Sequence, residues 1–251
     1  MLKNLSCIFT AAAGISLSAQ PLVTDRPDAT ESSSVVGQGV FQLETGFTYA
    51  EEGSVDALDS FGTLLRIGLS EKWEARIAWD GYIDFGSSGP DGIGDAQLGF
   101  KYFLQPENGN RPEAALIVHT SVPVGDDAFT SDAFDPSFLL SFAHTTSETT
   151  SFGYNIGASL ETSDDGFGRE TTLASLDYSA AFGFDVAENV GGYIEVFGSQ
   201  GLSADGDPIN LDGGFTYLLD DDTQFDLFVG IGLNDDAPDW FAGIGFAKRW
   251  R

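Results

Sequence analysis

The chain has 251 residues, 39 acidic and 11 basic, for a formal net charge of −28. This balance excludes a nucleic-acid binder, which needs a basic surface, and a single cysteine excludes a disulfide scaffold or a cysteine-built metal centre. Hydrophobic residues at 42% and aromatic residues at 13% are too many for a disordered acidic chain. The 31 glycines, 21 phenylalanines and a mean hydropathy near zero point away from a helical membrane protein and toward an all-β one.

No charge falls between Lys3 and Asp25, and an apolar run from Leu5 to Ala19 ends in small residues. A short positive start, an apolar stretch and small residues at its exit describe a secretory signal peptide, with cleavage near residues 18–20. The run is shorter than the roughly 20 apolar residues a spanning helix takes. Removal of residues 1–19 discards Cys7. Residues 20–39 follow as an N-terminal segment, and residues 40–251 carry the repeating pattern.

That pattern is a two-residue alternation, the period of an extended strand. It predicts strands at Phe41–Tyr49, Phe61–Leu69 and Trp73–Phe85, then at Ala96–Tyr102, Leu116–Ser121 and Phe138–Ala143. It continues at Phe152–Glu161, Ala174–Asp185, Ile194–Val196, Gly214–Leu219, Phe225–Ile231 and Ala242–Trp250. Within Trp73–Phe85, the odd-numbered residues through Phe85 form one apolar face and Glu74, Arg76, Asp80 and Asp84 lie on the other. Short connections near residues 70–72, 105–110, 146–150, 187–189 and 220–222 interleave with longer ones near 50–59, 86–92, 123–134, 163–169, 201–209 and 234–239.

An even strand number with interleaved short and long turns predicts a closed antiparallel transmembrane β-barrel of about twelve strands in the outer membrane of a Gram-negative bacterium. The short turns and both termini then lie in the periplasm. The apolar face looks outward to lipid, and the glycine- and serine-rich polar face looks inward. Trp73, Phe152 and Trp250 fall at inner strand ends, where an aromatic girdle sits. The alternation alone fits a soluble secreted β-protein equally well. The export signal, the even count and the aromatic last strand favour the membrane barrel.

Residues 24–49 read TDRPDATESSSVVGQGVFQLETGFTY. This resembles the opening of an outer-membrane transporter-like family labelled for the meta-pathway of phenol degradation, through Thr24, Asp25, Arg26, Pro27, Asp28, Thr30, Glu31 and Ser32, then Gln42, Glu44 and Gly46. GIGDAQLGFKYFL at 92–104, the stretch 121–126 and the end from Trp240 to Trp250 are similar to the family as well. Val36 departs from it, standing where the family often has proline. The resemblance implies an exported barrel linked to aromatic catabolism, and a fold alone fixes no substrate.

The expected lumen-facing set is Glu44, Arg66, Glu74, Arg76, Asp80, Asp84, Lys101, His119, Asp177, Glu195, Asp226 and Arg249. Such charges either line an open pore and set its selectivity or pair with one another and fill a closed lumen. Their acidic excess predicts a mild cation preference for an open pore. The TDRPD segment either folds into the barrel as a plug, Arg26 pairing with lumen carboxylates, or forms a periplasmic cap. The acidic loops lack the spacing of a calcium-binding loop. No G-x-S-x-G elbow or comparable catalytic constellation is present. The sequence therefore predicts a channel or transporter for small solutes, aromatic or apolar compounds among them, with no enzymatic activity, cofactor or metal. Its expected partners are outer-membrane lipid and lipopolysaccharide, the solute, and the barrel assembly machinery through the last strand. A closed structural or surface-interaction barrel is the second reading.

Overall fold

A computed structural model describes residues 22–164, 170–202 and 206–251. The expected signal peptide lies outside the described residues. From the amino end, the strands are β1 (Phe41–Glu52), β2 (Val55–Gly68), β3 (Trp73–Trp79), β4 (Tyr82–Asp84), β5 (Asp91–Ile93), β6 (Ala96–Gln105) and β7 (Glu113–Val122). They continue as β8 (Pro136–Thr145), β9 (Thr150–Asp164), β10 (Glu170–Ala187), β11 (Val190–Gly201), β12 (Ile209–Asp220), β13 (Thr223–Gly232) and β14 (Trp240–Trp250). β3 with β4, and β5 with β6, are two interrupted strands, so the fourteen segments make 14 − 2 = 12 crossings. All pairings are antiparallel. β1 pairs with β2 on one side and β14 on the other, from Phe41 opposite Trp250 to Glu51 opposite Trp240. The sheet closes and leaves no unpaired edge, the condition for a sheet to cross lipid.

The two faces are inverted relative to a soluble barrel. In β13, Phe225, Leu227, Val229 and Ile231 are exposed, while Gln224, Asp226, Phe228 and Gly230 are buried. The largest fully buried side chains include Arg66, Arg76, Lys101, Glu44, Glu74 and Glu195. A soluble β-protein turns its apolar face inward. Here a continuous apolar belt faces out and charges fill the interior, which overturns the soluble reading. Among the described residues no helix is long and apolar enough to cross a membrane. Aromatic pairs mark both rims: Trp73 lies 4.5 Å from Tyr102 at the inner end, and Tyr49 lies 5.2 Å from Trp240 at the outer end.

The structure corrects the expected boundaries in particular places. Residues 50–59 are not a long loop. β1 and β2 continue to a tight turn at Gly53 and Ser54, with Gly53 at a φ of 60°. Strands that rise above the membrane carry charges without ceasing to be strands, so acidic composition misled the loop assignment. The expected loop at 163–169 starts later, because β9 runs to Asp164; residues 165–169 lie outside the described residues, as do 203–205 of the loop at 201–209.

A second correction concerns which way residues face. Phe61 has a φ of 64° and bulges out of β2, so the register slips between Gly46 and Phe47. A bulge inserts one residue and reverses the facing of everything beyond it. Across from it, Gly81 has a φ of 88°, and a Cβ there would collide with the Ser60 carbonyl. Beyond these irregularities Ile83 lies opposite Asp59 and faces in, while Asp84 lies opposite Leu58, which itself pairs with the outward-facing Tyr49. Asp84, expected in the lumen, is therefore on the outer face at the rim, where it accepts a hydrogen bond from the Gly86 N–H at 2.7 Å.

Candidate functional site

The lumen is built by the inward positions of the strands and by residues 22–40, which precede β1. This segment touches inward side chains around nearly the whole circumference. Asp25 N–H and Arg26 N–H donate to Glu44 of β1 at 2.8 and 3.0 Å. Val36 N–H donates to Glu74 of β3 at 2.8 Å, Ser33 to Glu113 of β7 at 2.8 Å, and Ser141 of β8 to the Glu31 carbonyl at 2.6 Å. Glu31 N–H donates to Asn155 of β9 at 2.7 Å, and the Asn155 amide returns a bond to the Glu31 carbonyl at 3.0 Å. Thr30 reaches Ser179 of β10 at 2.7 Å and also Glu195 of β11, to which Ala29 N–H donates at 2.7 Å. Gln224 of β13 donates to Thr24 at 2.9 Å. A segment bonded to this many strands on their inward faces runs through the barrel. The Arg26–Pro27 peptide within it is cis.

One half of the lumen is a buried ion network. Arg66 pairs with Glu74 at 2.9 Å, Glu44 at 3.2 Å and Asp25 at 3.3 Å. Arg76 pairs with Asp25 at 2.7 Å, Glu31 at 2.6 Å and Glu74 at 3.0 Å. Lys101 pairs with Asp25 at 3.0 Å and donates to the Ser32 carbonyl at 2.8 Å. Five of the twelve expected residues, Glu44, Arg66, Glu74, Arg76 and Lys101, thus come together here, with Asp25 of the N-terminal segment at their centre. Burial alone would push the Asp25 carboxyl up, but Arg66, Lys101 and Arg76 hold it well below the usual carboxylate range. Ser32 also donates to Asp25, from its N–H at 2.9 Å and from its hydroxyl at 2.5 Å. His119 faces the same network and accepts from Arg76 Nε at 2.9 Å.

The remaining expected residues are placed apart from it. Asp177 is held by the Ser159 and Ser175 hydroxyls at 2.9 and 3.1 Å. Glu195 and Asp226 are buried on the opposite wall, Asp226 lying 3.4 Å from Arg26. Arg249 pairs at 2.8 Å with Asp222 of the inner turn. Asp80 sits at the break after β3, exposed, with Gln97 donating to it at 3.3 Å. The site residues that the sequence reading missed are Asp59, Glu113, Asp212 and the inward aromatic cluster of Tyr193, Phe228 and Phe241. Glu113 lies just before the expected strand start, and Asp59 was assigned to a loop. Phe228 falls on the inward face by alternation but carries no charge to single it out, and Tyr193 lies just before the expected strand start at Ile194.

Three of the cavities among the described residues bear on passage through the lumen. One of about 660 Å³ lies at the outer end, lined by Asp80, Asp95, His119, Asp135 and Glu161. One of about 490 Å³ lies beside β1 to β4, lined by Arg26, Glu44, Asp59, Leu64, Asp80 and Ile83. One of about 440 Å³ opens at the inner end, lined by Leu22, Arg26, Asp28, Phe184, Tyr193 and Gln224. Among the described residues no group of histidine, cysteine, aspartate and glutamate side chains is arranged to hold a metal ion.

The sequence matches the family described as "Putative MetA-pathway of phenol degradation" over residues 24–250. The fold is similar to that of the COG4313 outer membrane channel from Pseudomonas putida F1, with a TM-score of 0.65 and 12% identity, covering 87% of this chain and 98% of that one. It is also similar to the NanC porin, with a TM-score of 0.61 and 8% identity, covering 82% of this chain and 98% of that one. No curated protein matches the sequence.

Proposed function

The chain belongs to the family so described, and on that footing we propose that it is a passive outer-membrane channel for small solutes, with aromatic and apolar compounds as the class to test first. The observation that carries this reading is the inverted barrel with cavities of about 440 and 660 Å³ at the two ends of a charged lumen. The aromatic preference rests on the family description together with the inward ring cluster of Tyr193, Phe228 and Phe241. Residues 20–39 act as a plug that narrows the lumen, after removal of residues 1–19 as a signal peptide. The outer belt meets lipid and lipopolysaccharide, and the aromatic-ended β14 is the segment offered to the barrel assembly machinery.

Glu44, Glu74, Arg66 and Arg76 are engaged in mutual ion pairs and Lys101 is paired with Asp25, so the selectivity falls to unpaired acidic groups at the outer cavity, Asp80 above all. The reading is of a small-solute channel with a mild cation preference. Liposome swelling tests it. Vesicles carrying the folded chain should swell in small neutral and aromatic solutes and more slowly in larger ones. Vesicles that stay tight to all of them would leave the closed structural barrel, which the filled lumen favours, as the better account.

A further inference from the structure

These three cavities adjoin one another at single shared lining residues. The outer cavity and the middle one have Asp80 in common, and the middle and the inner one have Arg26 in common. The route so defined does not run down the barrel axis, which residues 22–40 occupy. From the outer cavity, lined by β6 to β9, it runs beside β1 to β4, passes Arg26, and reaches an inner mouth lined by β8 to β13.

Arg26 differs from the rest of its segment in how it is held. Its backbone is fixed, the N–H donating to Glu44 at 3.0 Å. Its side chain is not. The guanidinium reaches Asp226 and the Ile244 carbonyl only at 3.4 Å each, beyond the usual range of about 2.7–3.2 Å for such bonds. Its Nε is buried without a partner, as is Oδ2 of Asp226. By contrast Asp25, Ala29, Glu31 and Val36 make bonds of 2.7–2.8 Å. The guanidinium carbon rests 5.9 Å from the Phe228 ring centroid. The wall opposite is stripped of side chains: a Cβ on Gly46 or on Gly245 would collide with the Arg26 guanidinium. An anchored backbone, a loosely held charged side chain and a wall patch cleared at the paired Gly46 and Gly245 describe a movable constriction.

From this the geometry points to Arg26 as the gate residue between the outer and inner halves of the permeation path, with Asp226 as its resting counter-ion. The inference rests on the channel reading above and specifies where in the lumen passage is controlled. A guanidinium at the neck repels cations and attracts anions, so it opposes the acidic outer cavity and holds the overall cation preference to a mild one. When the side chain swings off Asp226, the middle and inner cavities connect.

The test uses the full chain in planar bilayers, with heat-modifiable migration confirming a folded barrel. Arg26→Ala should raise single-channel conductance and shift the reversal potential in a salt gradient toward the cation. Asp226→Asn, which frees the guanidinium, should shift it the opposite way. Arg26→Cys adds a readout that is independent of stability. The other cysteine, Cys7, is replaced by serine. A cationic methanethiosulfonate reagent added to either chamber should then alter the current, since both cavities abut the position. If the parent channel conducts and none of these variants changes conductance, selectivity or reagent sensitivity, the gate assignment is overturned and the channel reading stands. If the parent is silent and Arg26→Ala opens it, the gate is supported. If every folded form is silent, both fail together.

Discussion

Asp25 is the residue on which the lumen turns. Three cations, Arg66, Arg76 and Lys101, converge on its carboxylate within 3.3 Å. Removing one partner of a buried ion pair leaves an uncompensated charge, at a cost of about 3–5 kcal/mol. Asp25→Ala is therefore expected to lower the unfolding midpoint in urea and to expose residues 24–34 to protease from the inner side. A variant with unchanged protease resistance would show that the other contacts hold the segment unaided. Asp25→Asn, which keeps the shape and loses the charge, should fall between the two. The sequence placed Glu44, Arg66, Glu74, Arg76 and Lys101 on one inward face from alternation alone, and the structure brings all of them together. What alternation did not contain was their partner, because Asp25 lies in a segment with no periodicity and its contacts are distant along the chain. Lys101, for example, is 76 residues away.

At the scale of the strand, facing decides what a substitution costs. Ile244 in β14 is 59% exposed and lies between Phe47 and Leu227, both also outward. An arginine on such a lipid-facing position costs about 2–4 kcal/mol near the bilayer midplane. Ile244→Arg should destabilise the barrel in lipid by that amount, measured by reversible urea unfolding in vesicles; a change near zero would contradict the outward assignment. Facing was legible wherever the strand is regular. It failed at Asp84, because a positive φ at Phe61 carries no sequence signal of its own and Gly81 resembles any other strand glycine. The N-terminal element was legible as a motif but not as a location. Deleting residues 24–34 should enlarge single-channel conductance of the folded barrel. Unchanged conductance would mean that the segment does not narrow the path.

For the whole molecule, composition acquires a spatial meaning. The phenylalanines and isoleucines of the outer belt are exposed because their solvent is lipid, and the charges are buried because the interior is polar. The even strand number, the alternating sides of the turns and the closure of β1 on β14 were all foreshadowed by period and turn spacing, which are properties of local sequence. The filling of the lumen was left open between a plug and a periplasmic cap, because it depends on contacts between a non-repeating segment and almost every strand. The account therefore stands on one claim, that a barrel filled by its own N-terminal segment still passes small ions past Arg26. Single-channel recording of the folded, full-length chain in a salt gradient tests it most directly. The account predicts discrete conductance steps with a reversal potential displaced modestly toward the cation. A silent barrel, or a reversal potential on the anion side, would contradict it.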